Sequence, residues 1–155
     1  MPVGFNYKYA DTEQKSELLD RFTHSDGEFV YVQANGAVAQ YAIVKIDNDG
    51  QAAELTTTIS GSEPTACGIL QVALADNEYG WAWVKGGGSG KGIKVKALTL
   101  CATDVKLYTT ATAGAIDDSA TDLVQGLTLC STNAAGGTVA TECYSPIEIC
   151  TNCQD

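Results

Sequence analysis

Basic residues are scarce in this chain. Nine lysines and arginines stand against nineteen aspartates and glutamates, Arg21 is the only arginine, and the formal net charge is −10. A surface this acidic repels nucleic acid and anionic lipid, so neither is expected as a partner. It also keeps a protein soluble at high concentration. Long apolar runs are absent as well. No stretch reaches the length that crosses a membrane as a helix. The opening "MPVGFNYKYADTEQKSELL" lacks the apolar core of an export signal, so the expectation is synthesis and residence in a cytoplasm, or release by lysis. Histidine occurs once, as His24 in the breaker segment "THSDG" (23–27). A Ser–His–Asp arrangement needs a serine in a nucleophile-elbow setting, and no serine here has one. His24 therefore reads as a loop residue, and no enzymatic activity is expected.

What is present points to strands. The chain is 45% hydrophobic over 155 residues, enough for one globular domain. Val, Ile, Thr and Tyr favour strands, and the 16 glycines favour turns. Residues 1–9 read as extended, with Phe5, Tyr7 and Tyr9 alternating against polar neighbours. "DTEQKSELLDRF" (11–22) reads as a short helix. Asp11 or Thr12 would cap it, Gln14 lies at capping-box distance from Asp11, and Leu18, Leu19 and Phe22 form its apolar stripe. Beyond residue 27, strands are expected over 28–34, 37–47, 52–59 and 67–75, on both sides of "GGGSGKG", and near 138–149, separated by Gly and Asn turns. The expected fold is mainly β, a compact antiparallel barrel or sandwich. Three parts are expected: an N-terminal arm with a short helix (1–26), a β-domain (27–149) and a cysteine-containing tail (150–155).

The reactive-looking motifs dissolve on inspection. A phosphate loop needs GxxxxGK[ST] opening a helix. At Gly90-Lys91 the first glycine position is Lys85, the hydroxyl position is Gly92, and Ile93, Val95 and Ala97 alternate with Lys94 and Lys96 as in a strand. "GGGSGKG" therefore reads as a hairpin loop. Cys67, Cys101, Cys130 and Cys143 sit in strand-like apolar surroundings and read as buried thiols. Cys150 and Cys153 form a lone CxxC; zinc wants four ligands and a redox pair wants a helix behind it. A terminal disulfide clip or free thiols fit better. Asp47/Asp49 and Asp117/Asp118 lie in turns without a calcium-loop pattern. No metal and no cofactor is expected.

Two surface features remain. Trp81 and Trp83 share one strand face, which Tyr79 extends. Core packing and an intersubunit or partner contact stand side by side as readings. Five of the nine basic residues, Lys85, Lys91, Lys94, Lys96 and Lys106, fall within 85–106, offset there only by Asp104. They form a solvated strand face or a patch that meets an acidic partner.

"VALADNEYGWAWVKG" (72–86), "VKLYTTATAGAIDD" (105–118) and "VQGLTL" (124–129) resemble small decoration proteins of tailed bacteriophages. There, a "YGWVQVxG" segment is followed by a strand, a "LYxxxxAG" segment and a glycine before a late strand. The likeness covers roughly residues 28–149. It implies a capsid cement protein made in the bacterial host cytoplasm and carried on the outer surface of the virion. Such a protein would stabilise the shell of the major capsid protein, and would have a β-barrel or β-tulip-like body, a trimeric assembly and an N-terminal arm reaching along the shell. Phe5, Tyr7, Tyr9, Leu18, Leu19 and Phe22 would lie on that arm, and Tyr79, Trp81, Trp83, Lys85, Lys91, Lys94 and Lys96 are the further contact candidates. The resemblance brings no catalytic residue. The alternatives are a receptor- or carbohydrate-binding module of a tail or fibre, with Tyr79, Trp81 and Trp83 stacking on sugar, and a zinc or redox protein using Cys150 and Cys153.

Overall fold

A computed structural model describes residues 5–60, 64–119, 121–133 and 138–153. The ends of the expected arm and tail (1–4, 154–155) and most of the expected "NAAGG" loop lie outside the described residues. The chain is mainly β. The first half contributes β1 (Arg21–His24), β2 (Gly27–Ala34), β3 (Ile43–Ile46), β4 (Gln51–Glu54), the one-turn α1 (Thr57–Ser60), β5 (Thr65–Leu70) and β6 (Tyr79–Gly87). The second half contributes β7 (Lys94–Ala97), β8 (Leu107–Thr109), β9 (Ala115–Asp117), β10 (Leu123–Gln125), β11 (Thr128–Leu129), β12 (Val139–Ser145) and β13 (Cys150–Thr151).

Hydrogen bonding joins the 13 strands into one sheet that closes on itself twice. The strands β2, β4, β3, β5 and β6 make one closed ring. The strands β5, β13, β10, β8, β9, β7, β12 and β6 make a second. The rings share β5 and β6. Most pairs are antiparallel, and β2·β4 and β7·β9 are parallel.

The strand β6, shared by both rings, is buried on both faces, and so is β2, whose second face is covered by the larger core together with Phe5 and Tyr7. In β2, Val30, Val32 and Ala34 point into the small ring with Val44, Ile46, Ala52, Leu70, Ala82 and Val84. Phe29 and Tyr31 point the other way, into a larger core with Trp81, Trp83, Ile69, Val95, Leu107, Ile116 and Cys143. Alternation along a strand delivers its residues to both cores. The buried residues of this small ring are all aliphatic, whereas the aromatic rings go to the larger core. At Gly68, a Cβ would stand 3.0 Å from the Ala82 Cβ and 3.1 Å from the Ile46 Cδ1.

Several local expectations are corrected. Residues 11–22 form no helix. Asp11 instead bridges Tyr79, its N–H donating to the Tyr79 carbonyl at 2.8 Å and its carbonyl accepting from the Tyr79 N–H at 2.9 Å. Leu19 takes a left-handed φ of 70° and donates to the Tyr31 carbonyl. Extended pairing against the sheet supplies the backbone partners that a helix would have supplied internally. The expected strand 37–47 begins only at Ile43, because Tyr41 is left-handed (φ 66°). The expected strand 52–59 gives way after Glu54 to α1.

"GGGSGKG" is a loop but not a hairpin, since β6 and β7 do not pair with each other. Both lie along the same edge of β12, Gly86 and Gly87 against Ser145 and Tyr144, and Lys94–Ala97 against Glu142–Val139. Cys143 closes the loop base: its carbonyl accepts from Gly88 N–H (3.1 Å), and its N–H donates to the Ile93 carbonyl (3.0 Å). The segment is an excursion from one long, bent strand. Gly86, Gly87, Gly88, Gly90 and Gly92 all carry positive φ, which lets the chain leave and return within so few residues.

Candidate functional site

The N-terminal contact candidates separate into two groups. Phe5 packs on Phe22 with ring centroids 4.1 Å apart, and on Trp81 (5.0 Å) and Phe29 (5.4 Å). Tyr7 is buried, stacks on Phe29 at 4.6 Å and donates its hydroxyl to Asp26 at 2.6 Å. Leu18 is half-buried against the same core. The described part of the expected arm thus lies on its own β-body. Only Tyr9, 67% exposed, and Leu19, 40% exposed, present apolar surface outward.

The tryptophans are core. Trp81 is 2% exposed and Trp83 fully buried, and the Trp83 indole N–H has no hydrogen-bond partner among the described residues. Their rings offer no face to a partner or a sugar. Tyr79 is half-buried and lies parallel to Tyr31 at 6.0 Å. The pattern was ambiguous in sequence because strand alternation says which side a residue takes, not what covers that side.

The lysines behave differently. Among the described residues, the ion pairs are Lys15–Asp11, Arg21–Glu148, His24–Asp26 and Lys45–Asp47. Lys85, Lys91, Lys94, Lys96 and Lys106 join none of them. Lys94 and Lys96 project from the same face of β7 while Val95 points inward. The residue opposite Lys94 is Glu142, whose carboxylate accepts instead from the Gly90 N–H at 2.7 Å. The protein is acidic overall, yet the β6 end, the glycine loop and β7 carry four lysines that form none of these ion pairs, although Glu28 stands opposite Lys85 and Glu142 opposite Lys94 in the sheet.

Beside β7 lies a cleft of about 300 Å³ lined by Tyr7, Lys8, Gln40, Tyr41, Gln71, Gly92 and Lys94. Lys8, also outside every ion pair above, sits over the Tyr7 ring (5.6 Å) and Lys94 over the Tyr41 ring (5.9 Å). Sequence reading missed this site, because Lys8, Tyr41 and Gln71 are distant in the chain. A second, more apolar groove of about 590 Å³ has Val105, Tyr144 and Ile147 exposed along it.

The cysteines divide as follows. Cys150 and Cys153 are joined as a disulfide, so the clip reading is the one the structure takes. Their segment is more than a tail: β13 fills the gap between β5 and β10 and completes the larger ring. Cys67, Cys101 and Cys143 are buried thiols, and Cys130 is half-buried. Among the described residues, the nearest approach to a metal-ligand set is Cys101 with Asp117 and Asp118, whose ligand atoms lie within 4.8 Å of one another. Burial, then the nearby Asp118 and Asp117 carboxylates, push the Cys101 thiol up to about 12. The carboxylates are engaged in the turn: Asp118 accepts from the Ala102 N–H and Asp117 from the Asp118 N–H.

No protein-family model, no curated protein and no solved structure matches this chain.

Proposed function

We propose that this chain is a structural protein of a virus particle, which binds the outer surface of an icosahedral shell and stabilises it through the major capsid protein. The observation that carries the reading is the segregation of charge. On a body of net charge −10, Lys85, Lys91, Lys94 and Lys96 follow one another along β6, the glycine loop and β7 and join none of the ion pairs among the described residues, while Glu28 and Glu142 stand opposite only Lys85 and Lys94. A cationic edge on an acidic body orients one face toward an acidic partner. The resemblance of 72–86, 105–118 and 124–129 to phage decoration proteins supplies the kind of partner. In this reading Tyr9 and Leu19 add exposed apolar contact, the arm acts from a docked position, and the assembly is a homotrimer. Trp81 and Trp83 stiffen the body from within.

The test is the copy number of the chain in purified virus particles, by quantitative mass spectrometry against the major shell subunit. A count on the scale of the shell subunit is expected. A count on the scale of a tail component, or absence from the particle, refutes the proposal.

A further inference from the structure

The cleft beside β7 has three features beyond its two ammonium groups. Tyr41 holds a left-handed φ of 66°, a conformation disfavoured for a residue with a Cβ. Its main chain is fixed on both sides there, the N–H donating to the Leu70 carbonyl (2.7 Å) and the carbonyl accepting from the Lys96 N–H (2.9 Å). The strained backbone carries the Tyr41 ring to Lys94. Second, Gln71 is only 5% exposed and grips the Lys94 main chain from both ends. Its amide donates to the Lys94 carbonyl (2.8 Å), and its Oε1 accepts from the Lys94 N–H (3.0 Å). Gln40 in turn donates to the Gln71 carbonyl (3.2 Å). Third, no carboxylate lines the cleft: Asp26, which accepts the Tyr7 hydroxyl, and Glu142, opposite Lys94 on β12 and accepting from the Gly90 N–H, are both outside its lining. Lys8 and Lys94 thus line one small cleft, each beside a tyrosine ring, with the Lys94 main chain fixed and no carboxylate in the lining among the described residues.

We propose that this cleft is a carboxylate-binding site that receives acidic side chains of a protein partner. The inference rests on the reading of this chain as one that docks on another protein, and it names the chemistry that the cationic edge would recognise. A volume of about 300 Å³ is at the small end for a ligand site, and suits one or two carboxylate side chains better than an extended ligand. Ammonium groups on aromatic faces keep their charge and lose part of their mobility, so less ordering is required when a carboxylate arrives.

The test uses the full chain and a glutamate hexapeptide as probe, with glutamine hexapeptide, inorganic sulfate and a hexuronate oligosaccharide as comparisons at matched ionic strength. Lysines are labelled by reductive 13C-methylation and followed by NMR. Saturable shifts confined to the Lys8 and Lys94 signals are expected with the glutamate peptide and not with the glutamine peptide. The double variant K8Q/K94Q is expected to bind about tenfold more weakly, while K106Q binds as wild type. Thermal unfolding of each variant checks that the fold is retained. Uniform, non-saturating shifts of all lysines would overturn the proposal, as would saturable binding of sulfate alone or of the uronate in preference to the peptide. No shell is present in this experiment, so its failure is separable from failure of the particle-binding role.

Discussion

The strongest test of the N-terminal packing is a double-mutant cycle on Phe5 and Phe22. Their rings are 4.1 Å apart at 39°, and Phe5 also meets Phe29 and Trp81. Full burial of a phenylalanine is worth about 1.5–3 kcal/mol, so each half-buried ring contributes roughly half of that. A direct aromatic pair adds about 0.5–1.5 kcal/mol. Phe5→Ala and Phe22→Ala should each cost about 1.5 kcal/mol, and the double variant less than their sum by about 1 kcal/mol. In a domain of this size each single change lowers the melting temperature by roughly 3–6 °C. Urea unfolding followed by tryptophan fluorescence reads this directly, since Trp81 and Trp83 both lie in the core concerned. Tyr9→Ala, on an exposed ring, should stay within about 0.5 kcal/mol of wild type. If both phenylalanine variants are as stable as wild type and their coupling is zero, residues 5–26 do not dock on the body and the packing argument fails. The same argument predicts that deleting residues 1–26 weakens the fold as well as any binding, whereas a detached arm could be removed without harm.

Two further predictions concern buried titratable groups. Tyr7 and Tyr31 are both pushed up to about 12, mainly by burial, with the hydrogen bonds to Asp26 and Asp11 adding to the rise and the Lys15 N–H opposing it at Tyr31. The folded state holds these protons more tightly than the unfolded chain. The stabilisation is therefore complete below about pH 10 and is lost as pH rises toward 12, on the order of 2 kcal/mol for each ring. Alkaline unfolding should track the late part of the tyrosinate absorbance titration, and Tyr7→Phe with Tyr31→Phe should move it to higher pH; an unchanged midpoint would refute it. For the cysteines, alkylation of the denatured, unreduced protein should label four thiols, and six after reduction. In the native state Cys130 should react first: burial raises all four thiols, but only Cys130 is partly exposed, while Cys67, Cys101 and Cys143 are closed to reagent. Fast native labelling of Cys143 would contradict its place in the core.

The β character of the chain was legible from composition and turn chemistry, because strand propensity and glycine positions are local properties. So were the inward placement of Val95 between Lys94 and Lys96, and the burial of most free cysteines. The failures share one cause. Residues 11–22 carry a good helix pattern, but the Asp11–Tyr79 bridge and the Leu19–Tyr31 hydrogen bond come from strands that the local sequence does not contain. Trp81 and Trp83 could be assigned a common face, yet only the N-terminal segment and the second ring decide that this face is covered. The glycine loop shows its flexibility in sequence; that it leaves and rejoins a single edge of β12 depends on Val139–Ser145, more than forty residues on. The cleft is the extreme case, since Lys8, Tyr41, Gln71 and Lys94 meet only when both rings have closed. The sequence by itself determined the predominance of strands, the places of most turns and the sign of each charge. The tertiary structure alone decided which strand is buried on two faces and which lysines gather, because closing a sheet brings together residues that share no local signal.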